Sequence, residues 1–285
     1  MIEAGKKREL WFSDIHQNQY GISLRIKETL LRKHSPFQLV EVMETEGFGR
    51  LLALDGTIML TERDEFVYHE MLAHVPLCAH PEPREVLIIG GGDGGTLREA
   101  LKHPSIRRLD LVEIDEEVIE ASRRFLPTLN TGFDDPRTSI LFQDGIEFVK
   151  GRRDEYDVVV VDSTDPLGPA VGLFEAPFYR NVFQVLRPGG ILALQSESPF
   201  FDGPLLASIN STLRTLFPHV SPYLAPIVTY PGGHWGFAFA GKAQNALDAP
   251  YSDSYRERGL QTRYYTPEIH HAAFQLPRYL QDLLK

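Results

Sequence analysis

Apolar and polar positions follow two different rhythms along this chain. Up to about residue 62 the pattern suits strands, with mixed alternation over residues 22–31 and 37–43. A clearer pair, residues 50–54 and 57–61, is joined by Asp55-Gly56, a two-residue turn whose backbone twist matches the strands it connects. Over residues 64–79 the spacing becomes helical, with Phe66, Met71, Leu72 and Val75 on one stripe. His80-Pro81-Glu82-Pro83 ends that helix and forms a stiff linker. The expected division is therefore a small antiparallel β-rich unit with a connecting helix over residues 1–80, and a second domain over residues 81–285.

From residue 84 strands alternate with helices. Residues 86–89 are four apolar positions in a row, as in a strand covered on both faces. Further strands are expected over residues 109–113, 138–142, 156–161 and 191–195, with helices over 96–101, 116–126 (capped by Asp115), 145–150 and 177–186. Strands separated by helices of about ten residues mean right-handed crossovers and a parallel, doubly wound sheet. A helix over residues 204–217, a β-like stretch over 220–230 and a strand over 234–240 predict antiparallel strands at one edge. Two short helices, 267–274 and 277–284, close the chain.

Composition narrows the function. With 29 Lys and Arg against 39 Asp and Glu the net charge is −10, which argues against a nucleic-acid partner and is compatible with a cationic substrate. One cysteine, Cys78, excludes a disulfide framework and a cysteine-rich metal site. No apolar run has the length of a membrane span, and the first residues lack a signal peptide's apolar core. Cytoplasmic location is the expectation.

The candidate chemistry lies where strands end. After residues 86–89 comes Gly90-Gly91-Gly92-Asp93-Gly94-Gly95, whose Gly90, Gly92 and Gly95 fit dinucleotide-binding spacing and let a ligand approach the backbone. Glu113, Asp144, Asp162 and Asp165 stand at or after the next three strands, so five acids converge on the edge where an open parallel sheet binds its ligands. Asp144 alone reads as a helix cap. Together, packed like charges call for a cation. Glu113 is placed for ribose hydroxyls, and Asp144 with Gly145 for an adenine amino group. Asp93 would repel a pyrophosphate and attract a positive centre. Asp162 and Asp165, three residues apart in a Pro/Gly-rich loop, can meet one amine from two sides.

The set Gly90 to Gly95, Val112-Glu113-Ile114-Asp115, Asp144-Gly145 and Asp162-Ser163-Thr164-Asp165-Pro166-Leu167-Gly168-Pro169 resembles the polyamine aminopropyltransferases, bacterial spermidine synthases above all. The resemblance extends to Phe48-Gly49-Arg50, Leu54-Asp55-Gly56, Thr61 to Glu65, Tyr68-His69-Glu70-Met71 and Tyr264-Tyr265. It implies a Rossmann-like, methyltransferase-type domain behind a small N-terminal antiparallel β-domain. It also implies transfer of an aminopropyl group from decarboxylated S-adenosylmethionine, a co-substrate, to putrescine, with no cofactor or metal. By motif, Gln38, Glu113, Asp144, Gly145 and Pro169 would hold the adenosyl part, and His69, Asp93 and Asp165 the amines with Tyr68, Gln195 and Tyr230. Asp162 would accept the proton. A homodimer or homotetramer is implied. Other amine acceptors, an ordinary methyltransferase, a nicotinamide dehydrogenase and a polyamine sensor without turnover are the alternatives; the acidic glycine loop speaks against the methyltransferase and the dehydrogenase.

Overall fold

The computed structural model describes residues 9–285. The front of the chain forms an antiparallel sheet of β1 (Leu10–His16), β2 (Tyr20–His34), β3 (Leu39–Thr45), β4 (Arg50–Leu54) and β5 (Thr57–Thr61), paired in that order. Asp55 and Gly56 both take positive φ, 48° and 85°, as the tight hairpin requires. Strand β1 was not foreseen because most of its side chains are exposed or half-exposed, leaving no alternation to read. It is held instead by Asp14, whose carboxylate accepts the Ile58 amide of β5 at 2.9 Å.

After α1 (Glu65–Ala79) come β6 (Glu85–Gly90), α2 (Gly95–Leu101), β7 (Arg108–Glu113), α3 (Glu116–Phe125), β8 (Thr138–Phe142) and α4 (Gly145–Val149). Then follow β9 (Tyr156–Asp162), α5 (Ala176–Val185), β10 (Leu186–Gln195), α6 (Gly203–Arg214), β11 (His219–Pro226) and β12 (His234–Gly241). Helices α7 (Tyr251–Glu257), α8 (Pro267–Ala273) and α9 (Arg278–Leu283) end the described chain. The second sheet runs β8-β7-β6-β9-β10-β12-β11, with β6 to β10 parallel and the last two strands antiparallel. This is the doubly wound α/β architecture that the sequence predicts. Strand order reverses between β6 and β9, so a crevice opens at their carboxyl ends.

Two further features differ from the periodicity reading. Helix α7 has no predicted counterpart, and it docks on α1 through Arg258, just past its end, which donates to the carbonyls of Leu77 and His80 at 2.6 and 3.0 Å. Helix α1 is not a one-stripe helix: every residue but Phe66 is buried. It shares one core with Val86 and Ile88 of β6, Leu97 of α2, Tyr223 of β11 and Phe237 of β12, so apolar neighbours cover it on all sides. Helix α3, with Leu126 just past its end, meanwhile seats Val118 and Phe125 on Val40, Val42 and Leu52 of the first sheet. Those two helices bring both sheets to the same crevice.

Glu70, the acid that follows His69, is turned to the C-terminal segment. Its carboxylate accepts the backbone N–H groups of Arg263, Tyr264 and Tyr265, all at 2.8 Å, and so ties the C-terminal segment to α1. Glu70→Ala strands three donors in a buried place. We expect a loss of about 3 kcal/mol or more in unfolding free energy, measured by urea denaturation, with faster amide exchange over 263–265.

Candidate active site

Strand β6 delivers the chain into the glycine loop, and the loop's shape follows from what crowds it. Gly90 has φ 80°, and a β-carbon there would stand 2.1 Å from the backbone oxygen of Asp162. Only glycine permits that approach, which the Gly91 N–H seals by donating to the same oxygen at 2.8 Å. The loop and the end of β9 are thereby locked together, with Asp93 and Asp162 facing one cavity of about 250 Å³.

Asp162 accepts a hydroxyl on each oxygen, Tyr68 Oη on Oδ1 at 2.7 Å and Thr96 Oγ1 on Oδ2 at 2.6 Å. Burial, reinforced by the Asp93 charge, nevertheless pushes its pKa up to about 6. Asp93 goes the other way. Burial opposes its charge, but the His69 imidazole and the Gly95 N–H, which donates to Oδ1 at 2.7 Å, hold it below the usual carboxylate range. His69 Nε2 lies 3.2 Å from Asp93 Oδ1, and Nδ1 lies 2.7 Å from Glu65 Oε2. Burial disfavours the imidazolium, yet the two carboxylates outweigh it and raise His69 to about 10.

At the other end of the cavity stand Gln38, Glu113, Asp144, Gly145 and Pro169. Glu113 accepts the Gly92 and Asp115 amides at 3.2 and 2.9 Å, and burial raises it to about 7. Asp144 is a helix cap, accepting the Ile146 amide at 2.7 Å, and it lines the cavity as well. Gln38 donates to Asp115 Oδ2 at 2.9 Å, which places a loop of the first sheet over the pocket. Leu52, Leu54 and Met59 add an apolar wall from that sheet.

Tyr68, Asp165 and Tyr230 line the cavity as well. The Tyr68 and Tyr230 rings are 5.8 Å apart, and the Tyr230 hydroxyl donates to the Met59 carbonyl. Burial raises Asp165, and the charges of Asp14 and Asp202 add to the shift. Gln195 alone among the nominated residues stays off the cavity wall. Its amide nitrogen donates to Glu197 Oε1 at 2.9 Å and to the carbonyls of Ser163 and Thr164 at 3.3 and 3.4 Å, so it props the acidic loop from behind. Trp235 likewise stands behind Tyr230, with ring centroids 4.7 Å apart, and does not line the cavity.

Donor atoms of His69, Asp93 and Asp162 lie within 4.8 Å of one another, a spacing a metal could use. However, the doubly protonated His69 that its two carboxylate neighbours favour has no lone pair for a metal. A bound ammonium, which donates hydrogen bonds, suits the remaining carboxylate oxygens better.

Comparison with known proteins now decides the family. Residues 65–249 match the spermine/spermidine synthase domain, and residues 10–62 match the spermidine synthase tetramerisation domain. A polyamine aminopropyltransferase of Moorella thermoacetica is 48% identical over 278 residues, covering 98% of this chain and 97% of that protein. This chain is a member of the polyamine aminopropyltransferase family. As such it is an enzyme, a transferase of aminopropyl groups. The aminopropyltransferase fold here matches a spermidine synthase crystallised with the transition state analogue AdoDATO, with a TM-score of 0.95 and 38% identity over 98% of this chain and 96% of that one. It also matches the spermidine synthase of Thermotoga maritima, with a TM-score of 0.92 and 37% identity over 98% and 95%.

Three residues of this aminopropyltransferase site escaped the sequence reading: Thr96, Glu65 and Arg98. Glu65 lies one helical turn before His69, a spacing that puts the two side chains side by side. Thr96 follows the last glycine of the loop, where a helix starts and points its first residues at the crevice.

Proposed function

We propose that this aminopropyltransferase is a spermidine synthase, moving the aminopropyl group of decarboxylated S-adenosylmethionine to putrescine and releasing spermidine and 5′-methylthioadenosine. The observation that carries this reading is Asp93 beside Asp162 at the head of the glycine loop. A phosphate or a methionine carboxylate would be repelled there; the free ammonium of a decarboxylated donor is attracted. Glu113 would accept the ribose hydroxyls and Asp144 with Gly145 the adenine amino group, with Gln38 and Pro169 closing that end. Asp93, backed by His69, would take the donor's ammonium. Tyr68, Asp165 and Tyr230 would hold putrescine, with Gln195 fixing the loop that carries Asp165.

Chemically, the acceptor nitrogen attacks the propyl carbon bonded to sulfur, the carbon–sulfur bond breaks, and its electron pair leaves on the thioether. The sulfonium is already an excellent leaving group, so positioning supplies most of the acceleration and no metal is needed. An alkyl ammonium has a pKa of about 10.4 in water and arrives protonated. The donor's positive charges and the apolar wall of Tyr68, Tyr230 and Met59 lower that value, and Asp162 takes the proton released as the new bond forms. Glu197, which burial and the Asp165 charge push well above the ordinary carboxylate range, stands next to Asp165. The enzyme would act in the cytoplasm, as a homodimer or homotetramer. The first sheet offers the contact surface, since Leu10, Trp11, Ile15 and Tyr20 are exposed on its first hairpin and the tetramerisation match covers it.

The test is a direct assay. Protein, decarboxylated S-adenosylmethionine and putrescine should yield spermidine and methylthioadenosine by mass spectrometry, with cadaverine, agmatine and spermidine as competing acceptors. No product, together with methyl transfer from the carboxylated donor, overturns the proposal.

A further inference from the structure

His69 is unusual among the cavity residues in having no ring nitrogen to spare. Nδ1 hydrogen-bonds Glu65 Oε2 at 2.7 Å, and Nε2 meets Asp93 Oδ1 at 3.2 Å. The ring is nearly sealed from solvent and is fitted tightly: a β-carbon on Gly95 would come within 2.2 Å of its Cε1. Glu65 is held in turn. Arg98 of α2 donates through Nη1 to Oε1 at 3.1 Å and through Nη2 to Oε2 at 2.9 Å, a bidentate fork. The same guanidinium is anchored on Glu99 at 2.8 Å and on the Thr128 carbonyl at 3.1 Å. A continuous chain of charge thus runs Arg98, Glu65, His69, Asp93, alternating in sign and ending in the cavity.

We propose that Glu65 and Arg98 are positioning residues for aminopropyl transfer: they hold His69 as a doubly paired imidazolium, so that His69 acts on the substrate only through Asp93. On this view His69 does not bind an amine itself. Its charge keeps Asp93 ionised in a buried place, and its Nε2–H fixes which carboxylate oxygen, Oδ2, is left for the donor's ammonium; among the described residues no donor reaches that oxygen. A neutral His69 could not do this, because Asp93 and Asp162 would then face each other with no intervening cation. The groups around the ring are Glu65 and Tyr68 on its own helix, Asp93 on the glycine loop, Asp162 at the end of β9 and Arg98 on α2. Of these, two carboxylates touch the ring directly, which explains why the cation is the favoured state, at about 10. The inference rests on the spermidine synthase reading for its substrate, but its central claim needs none.

Long-range imidazole ¹H–¹⁵N spectra of the full-length enzyme, with the His69 signal assigned from an H69Q sample, test it. Both ring nitrogens should remain protonated from pH 6 to 9 in the wild type. In E65Q the deprotonation midpoint should drop by at least one pH unit. Activity should follow: relative to wild type, the donor KM of E65Q rises less than about threefold at pH 6.5 and about tenfold at pH 9, with the acceptor KM little changed. A neutral His69 at pH 7.5 in the wild type overturns the inference, even if E65Q fails to fold. An E65Q defect of equal size at both pH values overturns it too, since that is what a merely structural role predicts. The spectra require no turnover, so failure of the aminopropyl assay leaves this result standing on its own.

Discussion

In the Asp162→Asn protein we expect kcat for aminopropyl transfer to fall by about 10²–10⁴-fold, the range for removing a proton-transfer group, while donor affinity stays within a few-fold. Asp162 is reached by two hydroxyls, Tyr68 on one oxygen and Thr96 on the other, and both hold it toward the cavity. The amide keeps the shape but loses the negative charge that receives the proton. Steady-state rates with donor binding measured separately by calorimetry give the split; full activity would remove Asp162 from that role. Wild-type kcat/KM should also fall on the acid side as pH drops through about 6, because the carboxylate must be ionised to work. The same substitution has a second consequence with a definite sign. An acid whose folded-state pKa is raised destabilises the fold wherever it is forced to ionise, above about 6, and this cost vanishes below its unfolded value of about 3.9. The unliganded Asn variant should therefore melt higher than wild type at pH 8, with the advantage shrinking below pH 6 and gone at pH 4.

Much of this site could be read along the chain because it is built from strand ends. Asp93, Glu113, Asp144, Asp162 and Asp165 follow buried apolar runs, and a parallel sheet delivers all such positions to one edge; each of them lines the cavity. The glycine loop was legible as a turn but not as what it makes room for. Its spacing suggested a ligand's close approach, and Gly90, Gly91 and Gly92 do line the cavity, but Gly90 also yields to the backbone of Asp162 and Gly95 to the ring of His69. Those contacts join residues far apart in sequence, and no local pattern signals them. Arg98 is hidden for the same reason, since an arginine in the first turns of a helix reads as solvated until Glu65 is brought to it from α1. Gln195 sits at the correct strand end but faces the wrong side of the loop, a distinction set by the carbonyls of Ser163 and Thr164 rather than by spacing. Strand β1 was illegible because exposed side chains carry no period.

Asp93→Asn should separate the two halves of the donor. Its carboxylate is held ionised by His69 and by the Gly95 amide, and its second oxygen is the one that would face the donor's ammonium. Removing one partner of a buried, hydrogen-bonded charge pair costs about 2–5 kcal/mol, so the donor should bind at least about thirtyfold more weakly. Methylthioadenosine, which has lost the aminopropyl tail, would on this proposal meet only the part of the cavity walled by Gln38, Glu113 and Asp144, and its affinity should change less than about threefold. Titration calorimetry with both ligands makes the comparison. Equal losses for the two would contradict a contact between Asp93 and the charged tail and point to collapse of the loop. The distinction is sharp because an amide at 93 still accepts the Gly95 N–H, leaving the turn its internal hydrogen bond. What disappears is the charge, and with it both the attraction for the ammonium and half of the electrostatic support for a protonated His69.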